Sequence, residues 1–179
     1  MNIDVPLRQL DITPSSELMN FDYAGVAWDN FVQTRYGDIH GGSFNFSLIR
    51  SDLATTAPET AVEVVNQDSP LHALAMVEIQ KLEAQFNAKA MIAVFLKMKT
   101  NASNPIHQDF SPIFQVAHRC YIVIKTNDKA YLEVEGQTSQ FSGGEVIEVD
   151  NTRGYRWINS SSDDEIIHLL VDLIPLPAA

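Results

Sequence analysis

A chain of 179 residues, 45% hydrophobic and 20% charged, has the size and composition of one ordinary folded domain with a proper core. Its formal charge of −11 argues against nucleic acid or an anionic membrane as partner, because attraction to phosphate needs a basic surface. Cys120 is the single cysteine, so no intrachain disulfide can form and packing must hold the fold.

The opening residues Met1-Asn2-Ile3-Asp4-Val5-Pro6 have no cationic stretch followed by an apolar one, so no secretory leader is expected, and the expected location is cytoplasmic. Residues 1–68 mix short apolar stretches with turn signals at Thr13–Ser16, Tyr36–Asp38, Gly41-Gly42 and Thr55–Pro58. Within them, Ser43–Ile49 alternates as a strand with one buried face, and Trp28 and Phe31 read as anchors of the segment. Asp68-Ser69-Pro70 then places a capping residue and a proline before Leu71–Phe86. The apolar positions Leu71, Leu74, Ala75, Val77, Ile79, Leu82 and Phe86 give that segment helical spacing, and it is the clearest helix of a fold expected to be mainly β with one or a few helices.

Six strands should follow: Ala90–Met98, His118–Lys125, Ala130–Val134, Glu145–Val149, Tyr155–Ile158 and Glu165–Leu173. Short aromatic and β-branched segments separated by Asn127-Asp128, Gly143-Gly144, Asn151–Gly154 and Ser160–Asp164 argue for a meander or jelly roll rather than βαβ units. The longest apolar runs, such as Ala90–Leu96, fall far short of the roughly 20 residues a membrane helix needs. An antiparallel sheet of this kind hides its edges by closing into a double-stranded β-helix barrel, whose mouth is the natural ligand site. The expected organisation is a single domain over 1–179: N-terminal strands and loops in 1–68, a helix in 70–86 and a jelly-roll core in 90–175.

Chemistry has its best foothold in Asn104-Pro105-Ile106-His107-Gln108-Asp109. Positions two apart in an extended segment project to one side, so His107 and Asp109 can offer an imidazole and a carboxylate to one metal. Two histidines and a carboxylate form the facial triad of non-haem iron(II) oxygenases. A lone His-x-Asp also suits a polar loop that caps a turn. No Gly-x-Ser-x-Gly, phosphate-cradling loop, cysteine pair or heptad supports a rival class.

The order of features over roughly residues 70–175 resembles the aspartyl/asparaginyl β-hydroxylase family: a strand, His107-Gln108-Asp109, His118-Arg119-Cys120-Tyr121, Gly143-Gly144-Glu145, Asp150-Asn151, Asn159 and a last strand ending in Asp172. The resemblance implies a double-stranded β-helix that hydroxylates an amino-acid or peptide side chain with iron(II), oxygen and 2-oxoglutarate. It implies His107 and Asp109 as metal ligands, with Tyr155 in the position of the distal histidine. It also places Arg119 and Tyr121 beside the co-substrate, Tyr121 standing where the family has histidine. Ile166 falls where the family arginine pairs with the far carboxylate of 2-oxoglutarate. A neutral phenol is a poor iron ligand, and an alkyl side chain cannot make a bidentate contact.

His168 has the parity of Ile166 and Asp172, so it either faces inward in place of the missing ligand or cation, or is a hydrogen-bonded core residue. Arg119 either holds an anionic ligand or pairs with Asp109 or another carboxylate. His40 sits by glycines in a tight turn, His118 points away from Arg119 on the outer face or at a strand end, His72 lies in the first helical turn, and Trp157 reads as core. The leading expectation is an iron(II)/2-oxoglutarate-dependent oxygenase-like protein. The alternative is a non-catalytic barrel of the same descent that binds a ligand through a degenerate metal site.

Overall fold

The computed structural model describes residues 5–29, 42–54, 56, 57 and 62–177. Expectations for Phe31, Tyr36–Asp38, His40 and Gly41 lie outside them. The strands are β1 (Leu7–Leu10), β2 (Ser43–Arg50), β3 (Glu63–Val64), β4 (Ala88–Met98), β5 (Ala102–Ser103), β6 (His118–Lys125), β7 (Ala130–Val134), β8 (Gln137–Ser139), β9 (Val146–Val149), β10 (Tyr155–Asn159) and β11 (Ile166–Pro175). The α-helices are α1 (Ser16–Met19) and α2 (Pro70–Phe86).

Seven strands form one sheet in the order β1-β9-β6-β11-β4-β2-β3, and four form a second in the order β5-β10-β7-β8. Every pairing between these strands is antiparallel. Each sheet interleaves strands from distant parts of the chain, as a double-stranded β-helix does, so the expected fold class holds. The facing sides of the two sheets enclose Val94, Tyr121, Leu132, Ile147, Trp157 and Leu170. The opposite face of the larger sheet packs Phe95, Ile122, Leu169 and Val171 against Leu71, Ala75, Ile79 and Leu82 of α2. Each such buried Leu or Ile contributes about 1.5–3 kcal/mol.

Core on both faces of the larger sheet corrects the expectation for β2. Asn45 and Ser47 are buried as deeply as Phe46 and Leu48, rather than lying on a wet face. His118 does point away from Arg119, but it is covered: its ring stacks on Phe86 of α2 at 4.3 Å and its Nδ1 lies 2.6 Å from Glu148 Oε1. A second α-helix also exists where Thr13–Ser16 suggested only a turn. Ser15 caps it, its Oγ accepting from Leu18 N at 3.4 Å, and Leu18 is buried; one turn is too short to show a period. Among the described residues no helix is long and apolar enough to cross a membrane.

Candidate functional site

Site geometry follows from how the segment after β4 runs along β10. Asn104 continues the β5 track, its N–H donating to Trp157 O at 3.1 Å. Pro105 has no N–H to extend that ladder. Pairing resumes at His107, which exchanges both backbone bonds with Tyr155 (3.2 and 3.0 Å), and Asp109 N then donates to Asn151 O at 3.0 Å. His107 and Asp109 therefore both reach the barrel mouth, and the imidazole lies against the Tyr155 ring with centroids 4.5 Å apart. Its Nδ1 is 2.9 Å from Pro105 O.

Arg119, on β6, ties this edge to the last strand. Its Nε and Nη2 donate to the two oxygens of Asp172 at 2.8 and 2.7 Å, a bidentate contact. Its Nη1 donates to both Asp109 Oδ2 and the Tyr155 hydroxyl. Tyr155 in turn donates to Asp109 Oδ2 at 2.9 Å, and Asn151 Nδ2 lies 3.4 Å from the same oxygen. The guanidinium also lies 4.7 Å from the centre of the Phe114 ring. Arg119 and Asp172 are cross-strand partners between β6 and β11. A register shift between β11 and β4 directly after Asp172 marks the kind of bulge that re-aims a side chain at a site.

Electrostatics follow from this geometry. Burial works to raise the Asp109 carboxyl, but the charge of Arg119 and the Tyr155 hydrogen bond outweigh it and hold the group below the usual carboxylate range. Burial opposes charge on Arg119 as well, yet Asp172, Tyr155 and Asp109 together push its pKa well up. Burial likewise keeps both phenols protonated, Tyr155 well above its ordinary value and Tyr121 at about 12. Asp172 is raised by burial against the pull of Arg119.

A cavity of about 280 Å³ opens beside this network. Its charged lining consists of Asp109, Asp172 and Arg119, a formal −1, and its walls include Val94, Leu96, Phe114, Tyr121, Trp157 and Leu170. Phe110 stands 76% exposed at the rim. Two buried atoms of lining residues, Asn104 Oδ1 and Trp157 Nε1, have no hydrogen-bond partner.

Thus His107, Asp109, Arg119, Tyr121 and Tyr155 come together at one cavity, while His168 does not line it. His168 faces inward, but its ring is sandwiched 3.9 Å from Trp157 and edge-on to Tyr121, and its buried Nε2 is unpartnered. Burial depresses its pKa to about 3, so it is neutral and does not replace the missing cation; nor is it the hydrogen-bonded core residue of the other expectation. Ile166 is buried between the sheets opposite Met98. Among the described residues no group of three or more His, Cys, Asp or Glu is placed to hold a metal. Sequence reasoning missed Asp172 as the bidentate partner of Arg119, although its parity was visible. The contributions of Leu53 and Phe114 depend on tertiary packing and carry no local signal.

Fold and site together define an oxygenase-like double-stranded β-helix protein. The chain belongs to the aspartyl/asparaginyl β-hydroxylase family, whose model matches residues 8–175. In structure it is similar to the viral collagen prolyl hydroxylase of Paramecium bursaria Chlorella virus-1, solved with 2-oxoglutarate, at a TM-score of 0.61 and 8% identity over 97% of this chain and 98% of that one. A Pseudomonas putida prolyl-4-hydroxylase matches at 0.58 and 11% identity, covering 96% and 94% of the two chains. A Burkholderia pseudomallei oxidoreductase of the 2OG-Fe(II) oxygenase family matches at 0.56 and 12% identity, covering 76% and 68%. At these identities the likeness is one of fold. No curated protein matches the chain in sequence.

Proposed function

We propose that this oxygenase-like protein uses the barrel mouth to bind a small amino-acid or peptide ligand, without iron-dependent turnover. One observation carries the reading: Arg119 Nη1 spans Asp109 and Tyr155, where a cation joining the two positions would have to sit. The residues present do not fit iron(II). Its approach to Asp109 would bring it against a guanidinium, and the Tyr155 phenol is held protonated. Nor do they fit 2-oxoglutarate. A dicarboxylate would enter a lining already at −1, with the one guanidinium bonded to two carboxylates and Ile166 in place of a second. We read residues 1–179 as one domain of a cytoplasmic protein, with ligand choice set by Leu53, Phe110 and Phe114 around the mouth.

A second reading, hydroxylation with iron(II) and 2-oxoglutarate, draws on one specific feature: His107 and Asp109 keep adjacent places opposite β10. The two separate in one experiment. Protein prepared without chelator is assayed for bound iron, then supplied with iron(II), oxygen and 2-oxoglutarate while succinate is followed. The expected result is substoichiometric iron and no succinate above the protein-free rate; steady succinate formation overturns the binding-only reading.

A further inference from the structure

The bonds made to Asp109 leave one of its oxygens over. Oδ2 takes every side-chain contact to the carboxylate, accepting from Arg119 Nη1, from the Tyr155 hydroxyl at 2.9 Å and from Asn151 Nδ2 at 3.4 Å. Oδ1 accepts from none of the described residues, and the side chain is 20% exposed, so that oxygen is open to water rather than sealed. Burial works against charge here, yet Arg119 and Tyr155 hold the carboxyl low, and the group is ionised. Asp172 differs: Arg119 occupies both of its oxygens and it is fully buried, so those two charges answer each other inside the wall. The formal −1 of the cavity lining is therefore presented to a ligand by Asp109, beside apolar walls that include Val94, Leu96, Phe114 and Leu170.

We propose that the cavity takes a ligand carrying an ammonium group on an apolar body, the ammonium donating to Asp109 Oδ1 and the body packing among the walls. This assignment rests on the binding-only reading above and adds the charge of the ligand. A hydrogen bond between ions is roughly twice as strong as one between neutral groups. An alcohol can donate to Oδ1 but leaves its charge unanswered, and a carboxylate has no donor to offer and adds a second negative charge. Arg119 does not bar the way as it bars a metal. A metal would have to join Asp109 to Tyr155 through the place that Nη1 holds, whereas an ammonium needs only the oxygen that Nη1 does not use. The volume, about 280 Å³, sits near the lower end of small-molecule pockets and suits a body of amino-acid size. A simple alkylamine and the amino group of an amino-acid amide share this chemistry.

Titration of the nitrogen-15-labelled full chain with 3-methylbutylamine, leucinamide, 3-methylbutanol and 3-methylbutanoate, followed by amide NMR shifts, tests the assignment. The first, third and fourth share one carbon skeleton and differ in the head group. At least one amine should bind with shifts at His107–Phe110, at least about tenfold more tightly than the alcohol, and the acid should be weaker still. Whichever amine binds more tightly names the source of the ammonium. Asp109→Asn keeps the size of the side chain and removes its charge, and should bring the amine to within about twofold of the alcohol while leaving the alcohol unchanged. The comparison of head groups on the unaltered protein stands even if that variant folds poorly. Equal affinity for amine and alcohol, tighter binding of the acid, amine shifts confined to residues away from the mouth, or no binding of either amine overturns the ammonium assignment. Succinate formation from 2-oxoglutarate overturns the parent reading instead, whereas failure of the amines without succinate overturns the ammonium assignment alone.

Discussion

Arg119 commits its donors to Asp172, Asp109 and Tyr155 within the protein, and it is almost fully buried. Removing one partner of such a network strands the others. Arg119→Met should therefore destabilise the fold by about 3–5 kcal/mol, read from urea unfolding midpoints, because Asp172 is left buried without a counter-charge. Arg119→Lys should recover only part of this, since an ammonium cannot make the bidentate contact; full recovery would mean that charge alone matters. His168 makes a separate prediction about pH. Its folded pKa is pushed down to about 3 by burial, while the unfolded chain protonates it near 6.5. The unfolded state therefore binds more protons between those values, so the stability His168 contributes is complete above about pH 6.5 and is lost as pH falls toward 3. Asp109, held low mainly by Arg119 against burial, works in the same direction below the ordinary carboxylate range, and Asp172, raised by burial, works against it. His168→Phe isolates the histidine: the loss of stability between pH 7 and pH 5 should shrink relative to the unaltered protein. An undiminished loss would assign the acid sensitivity to other groups.

Elements were legible where they were long or sharply punctuated. β6 and β7 fall where the sequence places them, at His118–Lys125 and Ala130–Val134, because Asn127-Asp128 separates two apolar β-branched runs. The short strands β1, β3, β5 and β8 were not legible, since two to four residues carry no usable period and exist only through the partner they pair with. The C-terminal boundary of α2 is fixed by backbone chemistry. Asn87 takes the left-handed conformation at φ 46°, its N–H bonds Glu83 O, and its carbonyl accepts from Leu176 N at 2.8 Å, which ties the helix end to the tail of β11. Asparagine and glycine tolerate that conformation, whereas a β-branched side chain crowds the following carbonyl. Asn87→Gly should leave the thermal midpoint nearly unchanged, and Asn87→Val should cost about 1–2 kcal/mol in chemical denaturation. Equal effects of the two would show that packing rather than φ sets the boundary.

Across the whole molecule, the inward parity of His107, Asp109, Arg119, Tyr155 and Asp172 was readable from the sequence, and pairing of Arg119 with Asp109 or another carboxylate was one of its two readings there, but the simultaneous joining of Arg119 to Asp109, Tyr155 and Asp172 was not. That joining depends on β6, β10 and β11 meeting in space, and on a loop that runs beside β10 only after closure. The barrel is held by two apolar cores and by α2, none of which needs a metal, so fold and chemistry can part company. A reversal experiment follows. Tyr155→His would place an imidazole opposite His107 and near Asp109, completing two histidines and a carboxylate. Arg119 can release Asp109 without being stranded, because Nε and Nη2 remain on Asp172. Cobalt(II) titration, read by its visible absorption, should show at least about tenfold tighter binding to Tyr155→His than to the unaltered protein. Binding of 2-oxoglutarate should remain absent in the same variant, since Ile166 still supplies no cation. If the unaltered protein binds cobalt(II) as tightly as the variant, then Tyr155 is not what keeps the metal out, and the guanidinium bridge loses its meaning as a substitute for the metal.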